Sequence, residues 1–336
     1  MFNLFGKPGY SLKLGPQGAA WVEARCGWTG RPSPHYHMVE FPPGAVKPSP
    51  MEPNILDLAV VEARLKELLP PPSSQAMLRR MGVPDLLRPI AMVVPDLATR
   101  MALLTVESLP DKREEQEALV RWRLEQERLF PMAGTKVAFQ TFGAAAKGAK
   151  GPRTVLAVVM RDPIWAQYDQ LCERLGLSLV ELDVSSFCLW NLWQRAEGVQ
   201  GKSPAKDHGL VWLSLLDGGL SMAVFQSGVP VFLRNKPIPL SKPTDQAPRI
   251  TAAYVLSELT SSLLYCQELH PRLTPKRLIL VGEGLPPSLG REIQQSCQLE
   301  VTDLGWAQAE TIGWRQAFDH PPIAMLEAVS GLAGAA

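Results

Sequence analysis

One stretch of this chain could handle phosphate, and another could hold a metal. Gly209 to Arg234 reads as three short apolar strands joined by two tight turns, Asp217-Gly218-Gly219 and Gln226-Ser227-Gly228. A glycine-rich turn between apolar strands can close its backbone N–H groups on an anion, and the same residues can equally make a plain hairpin. His35-x-His37 on a strand would put both imidazoles on one face, as a metal requires. No third ligand lies nearby in sequence, which favours two ordinary strand histidines. The run 144–152, AAAKGAKGP, has the composition of a loop and lacks the G-x-x-x-x-G-K-[ST] spacing of a phosphate loop. No Ser, Cys or His sits in a recognisable nucleophile motif, so a hydrolase reading has no anchor.

These residues need a frame. The 336 residues suffice for two domains or one large two-lobed fold. Hydrophobic residues make up 46% and charged residues 20%, as in a globular protein. The balance of 34 basic against 33 acidic side chains lacks the basic excess of a nucleic-acid surface. No run approaches the roughly 18 apolar residues of a membrane helix, and MFNLFGKPGY is too short in its apolar part for a secretory signal. A cytoplasmic chain without a direct membrane span is the expectation. Cys26, Cys172, Cys188, Cys266 and Cys297 are scattered and form no Cys-x-x-Cys pair, which argues against disulfide or zinc frameworks. The 31 prolines cluster at 42–53, 70–72, 84–95 and 237–248 and punctuate the chain into elements.

Residues 10–24 read as strand, Gly/Pro turn, strand, with a third strand at 35–41. An amphipathic helix is expected from 55 to 69, capped by Asn54, and short buried strands at 89–94 and 101–106. The stretch 112–129 is the clearest helix: Glu114, Glu115 and Glu117 suit its positive end, and Pro131 stops it. Further strands are expected at 136–142, 154–159 and 177–182, with Asp183 capping a helix that carries Phe187, Trp190 and Trp193. The polar run 198–207 reads as a domain boundary. Beyond it come strands 210–216, 220–225 and 229–234, a helix over about 247–269, a strand at 277–281, and a helix from Pro287. Each half opens with a three-strand meander and crosses through helices into parallel strands, the pattern of a duplicated α/β architecture.

Ile90-Ala-Met-Val-Val-Pro-Asp96, Glu117 through Phe130-Pro131, Val180-Glu-Leu-Asp-Val-Ser-Ser-Phe187, Gly228-Val-Pro-Val-Phe-Leu-Arg234 and Arg277-Leu-Ile-Leu-Val-Gly-Glu-Gly284 carry a resemblance. In this order over residues 8–335, the chain resembles the PilM family of type IV pilus assembly proteins. That family belongs to the actin-like ATPase superfamily and is related to the cytoplasmic domain of GspL. The resemblance implies a duplicated actin-like (RNase H-like) two-lobed fold with a small subdomain inserted in the first lobe. The first lobe would span 1–200 with its insertion at about 96–145, and the second 208–320. A C-terminal helix, 321–336, would pack back on the first lobe.

The resemblance also implies a nucleotide site, and here the residues depart from the pattern. The family's first hairpin carries an acid, a glycine, hydroxyl residues and a lysine. The matching positions here are Lys13 for the acid, Gly15, Pro16 (which lacks an N–H), Gln17, Gly18, and Ala20 for the lysine. In the second hairpin Ser214 stands for the acid and Leu216 for the glycine, while Asp217 is displaced to the turn beside Gly218 and Gly219. The adenosine turn persists as Gly282, Glu283 and Gly284, with Glu283 placed to crowd or repel a nucleotide. Metal-assisted phosphoryl transfer needs carboxylate anchors, so ATP and magnesium are disfavoured and no cofactor is expected. Lys13 could instead replace the metal and hold an anion; a surface or salt-bridged lysine is the plainer reading.

By resemblance the function is a non-catalytic, cytoplasmic scaffold of a type IV pilus or type II-like secretion machine. It would sit at the inner membrane through a PilN-like bitopic partner, whose N-terminal tail would enter a groove formed by Val93, Val94, Leu119, Trp122, Arg123, Gln126, Phe130 and Phe139. Other assembly proteins are expected partners, self-association is left open, and nucleic acid is not expected. The alternatives are a nucleotide-dependent switch of the same fold and a small-molecule kinase of the superfamily, for which no motif places a catalytic Asp.

Overall fold

Alternation in the first strand decides how its sheet is built. In β1 (Tyr10–Leu14), Ser11 and Lys13 point to one face and Leu12 and Leu14 to the other, and all four are buried. A strand buried on both faces must be central. β1 pairs antiparallel with β2 (Gly18–Cys26), which pairs antiparallel with β3 (Pro32–Glu40). On its other side β1 runs parallel to β4 (Arg88–Val94), which runs parallel to β8 (Leu177–Val184). The order is β3-β2-β1-β4-β8. The structure is a computed structural model, and it describes residues 8–26, 32–69, 87–128, 130–143, 152–201, 209–239, 250–315 and 321–334.

The second half repeats the plan. β9 (Leu210–Leu216), β10 (Gly219–Gln226) and β11 (Val229–Pro237) form the meander, and β12 (Arg277–Gly282) and β13 (Glu300–Asp303) add in parallel. The order, β11-β10-β9-β12-β13, is that of the first sheet. Val211, Leu213 and Leu215 pack with α5 (Ala252–Leu269) and α6 (Leu289–Cys297) through Val255, Leu259, Leu289 and Ile293. Thr251 caps α5 by accepting from the Tyr254 N–H.

In the chain segment between β4 and β8 comes a separate sheet, β5 (Arg100–Val106), β7 (Arg153–Arg161) and β6 (Thr135–Phe142) in the order β5-β7-β6, with α2 (Arg113–Gln126) laid on it. Its core joins Leu104, Val106, Val120, Leu124, Phe139, Val155 and Ala157. This corrects the boundary expected near 145: the strand at 154–159 belongs to the inserted sheet because it pairs antiparallel with both β5 and β6. A continuous apolar run suits the centre of any sheet, so sequence does not say which one takes it.

The chain divides into two bodies. One holds 1–98, 162–199 and 305–336; the other holds 99–161 and 200–304. Residues 305–315 therefore leave the second lobe to which sequence assigned them. In the first body α1 (Leu58–Leu68) and α3 (Asp162–Arg174) pack on one another and on β3 and β8 respectively. The Lys13 face is covered by α4 (Ser185–Val199) and α8 (Ile323–Gly334), while α7 (Trp306–Thr311) packs on both helices.

Two expected caps are corrected. α1 is capped by Asp57, whose Oδ1 accepts from Val60 N at 3.0 Å; Asn54 is buried and instead accepts from Ser49 N. The first turn of α4 is capped by Asp96, which accepts from both the N–H and the hydroxyl of Ser186, whereas Asp183 stays within β8. Residues 144–151 and 202–208, which take in most of the expected loop and boundary, lie outside the described residues, as does Leu129. Among the described residues no helix is long and apolar enough to cross a membrane.

Candidate functional site

The first hairpin turns through Gly15, Pro16 and Gln17, closed by Gly15 N donating to the Gly18 carbonyl at 2.9 Å. Gln17 offers its carbonyl to Phe41 N at 2.9 Å. At Gly18 a Cβ would stand 2.2 Å from the Val39 carbonyl oxygen, so the close approach of β3 requires glycine there.

Lys13 precedes this turn and is 1% exposed. Its Nζ lies 2.6 Å from Glu327 Oε1 on α8 and donates to Ser185 Oγ at the start of α4, also at 2.6 Å. Ser185 Oγ in turn donates to the Val94 carbonyl at 3.1 Å. The anion that Lys13 holds is thus the chain's own carboxylate. α8 can approach this closely because residue 331 is glycine: a Cβ there would meet Ser11 Oγ at 2.6 Å and Val93 Cγ2 at 2.7 Å.

Register extends the polar patch across the sheet. Lys13 aligns with Val93 and then Asp183, and Ser11 aligns with Ala91 and then Glu181, placing both carboxyls on the Lys13 face. Burial, and secondarily the neighbouring Asp183, pushes Glu181 up to about 7. Burial also raises Asp183, against the smaller, lowering influence of the buried Cys188 of α4 and of Glu181. Cys188 is raised by burial first and by these carboxylates next. A thiol held protonated in this way is a poor nucleophile.

The second hairpin has the geometry of a tight connection. Leu216 pairs with Gly219, and the two residues between them, Asp217 (φ 53°) and Gly218 (φ 74°), both take the left-handed conformation of a two-residue type I′ turn. Ser227 (φ 51°) and Gly228 (φ 78°) do the same between β10 and β11. Ser214 pairs with Val281, one residue before the end of β12, as Lys13 pairs with Val93, one residue before the end of β4. The two side chains therefore hold corresponding places. Ser214 is 1% exposed, faces away from the α5–α6 core, and its hydroxyl has no hydrogen-bond partner among the described residues.

At the end of β12, Gly282 packs under Leu285, whose side chain a Cβ would meet at 2.8 Å, and beyond it Gly284 takes a φ of 64°. Burial raises the carboxyl of Glu283, and the Asp217 carboxylate adds to the shift. Two acids therefore stand near one another where the parallel strands of the second sheet end. His35 and His37 are exposed, and no group of three metal-ligating side chains occurs among the described residues.

The expected groove residues fall into two sets. Val93 and Val94 are fully buried in the first sheet, and Phe130 and Phe139 belong to the core of the small one. These four offer no surface to a partner. Leu119 packs partly against that core, and Arg123 donates to the Thr105 carbonyl at 3.2 Å. Trp122, 51% exposed, and Gln126 face outward. Sequence reasoning passed over Glu327, although its signal was present: it is the one charged residue in the apolar run 321–336.

Two meander-led sheets of identical order, the first interrupted by a small inserted sheet, define a duplicated actin-like α/β fold. No protein-family model and no curated protein sequence matches the chain. Among solved structures, the chain is similar over 97% of its length to 97% of a chain in a "PilM-PilN type IV pilus biogenesis complex", with a TM-score of 0.68 and 18% identity. Fainter likenesses are to a Bacteroides thetaiotaomicron protein with actin-like ATPase fold (TM-score 0.48, 10% identity, 92% of this chain and 97% of that one) and to the cytoplasmic domain of EpsL, an inner membrane component of the Vibrio cholerae type II secretion system (0.43, 11%, 97% and 94%).

Proposed function

We propose that this chain is a non-catalytic assembly scaffold of a type IV pilus or type II-like secretion machine. In this reading it works on the cytoplasmic side of the inner membrane and holds the tail of a PilN-like bitopic protein. The fold likeness to a chain of a PilM-PilN complex supports the setting. The observation that carries the non-catalytic part is the buried Lys13–Glu327 pair. It puts a neutralised cation at the end of β1, and the corresponding residue of β9 is a serine. Magnesium bound with a nucleotide takes carboxylate and phosphate oxygens. The residues at the two strand ends do not fit it: neither Lys13 nor Ser214 is a carboxylate, Pro16 has no N–H to offer, and the Asp217–Glu283 pair would face phosphates with like charge.

The test is calorimetric. Titration with ATP and magnesium is expected to give no heat of binding, whereas the cytoplasmic tail of a PilN-like bitopic membrane protein is expected to bind. Micromolar, magnesium-dependent ATP binding would overturn the non-catalytic reading. A folded protein that ignores the tail would overturn the scaffold reading.

A further inference from the structure

Helix α2 separates its charges by sign. Its arginines turn to the small sheet. Arg113 lies 3.7 Å over the Phe139 ring and donates to the Phe139 carbonyl at 3.3 Å. Arg121 donates to the Thr135 carbonyl at 3.1 Å and pairs with Glu117 at 3.0 Å. Arg123 reaches the Thr105 carbonyl and stands 3.9 Å from Glu127. What is left for the outer stripe is Glu114, Ala118, Trp122, Glu125 and Gln126, spaced at helical intervals and all exposed. Among the described residues no cation pairs with Glu114 or Glu125. Among the same residues Trp122 and Tyr265 are the exposed aromatic side chains, and Tyr265 already packs edge-on against Phe232 at 6.1 Å.

An indole left half in water between carboxylates, with Ala118 one turn away leaving its face open, is suited to one chemistry. A lysine or arginine can lie on the ring while its charge meets Glu125 or Glu114, and adjacent apolar groups can cover the rest. The tail of the partner assigned above enters a membrane span from the cytoplasmic side, and such juxtamembrane segments carry an excess of Lys and Arg. Charge complementarity therefore selects the occupant. Resting on the scaffold reading, we infer that the outer stripe of α2 docks a basic, partly apolar segment of the partner's cytoplasmic tail, with Trp122 as the anchor.

The experiment uses the full chain and two probes, the cytoplasmic tail of a PilN-like bitopic protein and a synthetic peptide alternating Lys and Leu, with a Glu/Leu peptide as the control. Trp122→Ala and the double variant Glu114→Lys/Glu125→Lys are each expected to weaken tail binding by about tenfold or more, because a central aromatic anchor and its charges dominate small interfaces. Glu52→Lys, an exposed change in the other body, is expected to leave it unaltered. Affinity for wild type is expected to fall as salt rises from about 50 to about 300 mM. Unchanged circular dichroism and melting of the variants separate binding from folding. Tail binding that is equal in wild type and both variants would overturn this inference and leave the scaffold reading standing. If the tail fails to bind at all, the scaffold reading falls and the synthetic peptides decide. Trp122-dependent preference for the basic peptide then supports the docking stripe, and no preference overturns it.

Discussion

One residue before the parallel strands end, the first sheet carries a lysine neutralised by a carboxylate from α8, and the second carries a serine whose hydroxyl bonds to nothing described. The topology around both is the same, so the difference lies in how each side chain is satisfied. A buried ammonium persists only with a partner of opposite charge, because an unpaired charge would give up several kcal/mol of hydration. Glu327 supplies that partner, Ser185 a second acceptor, and Gly331 the clearance that lets α8 descend. A lone hydroxyl costs far less and needs no such arrangement. The fold thus takes a serine at one place and a lysine at the other, but the lysine commits the C-terminal helix as well.

The contrast breaks most sharply at Lys13. Lys13→Met strands Glu327 in the interior and is expected to cost about 3–5 kcal/mol in urea unfolding, with most of the loss recovered in Lys13→Met/Glu327→Leu. A single variant as stable as wild type would mean that the pair is no more demanding than the serine. Glu181 comes next. Its carboxyl sits at about 7 rather than 4.5, so the native state keeps a proton that the unfolded chain releases. Its contribution is complete below pH 4.5 and is lost as pH rises to about 7. Glu181→Gln is therefore expected to gain on wild type across that window by about 1–2 kcal/mol, since solvent screens the exposed part of the carboxyl, and parallel stability–pH curves would refute the assignment. Gly331→Ala tests the descent of α8 and is expected to cost about 2 kcal/mol through overpacking against Ser11 and Val93. Ser214→Ala sharpens the comparison from the other side: removing an unsatisfied hydroxyl is expected to leave stability level or raise it by about 1 kcal/mol or less.

Much of the frame was legible beforehand. The meanders show as alternating or apolar runs between Gly/Pro turns, and Asp217-Gly218 is a residue pair that favours the left-handed pair of conformations it adopts. Sequence reading failed where a choice depended on contacts distant along the chain. Nothing local distinguishes a strand of the small sheet from one of the large sheet at 153–161, and Asp183 is as good a cap as Asp96 until the chain brings Asp96 to the start of α4. In the expected groove, the apolar character of Val93, Val94, Phe130 and Phe139 marked core, not surface.

The sequence alone determined the order of elements, the hairpin turns, and the absence of an acid at residues 13 and 214, because these follow from residue type and local spacing. Only the tertiary structure decided what became of the lysine. Its partner lies 314 residues away, and an ion pair is stable in the interior only where two helices and a glycine bring both charges to one point.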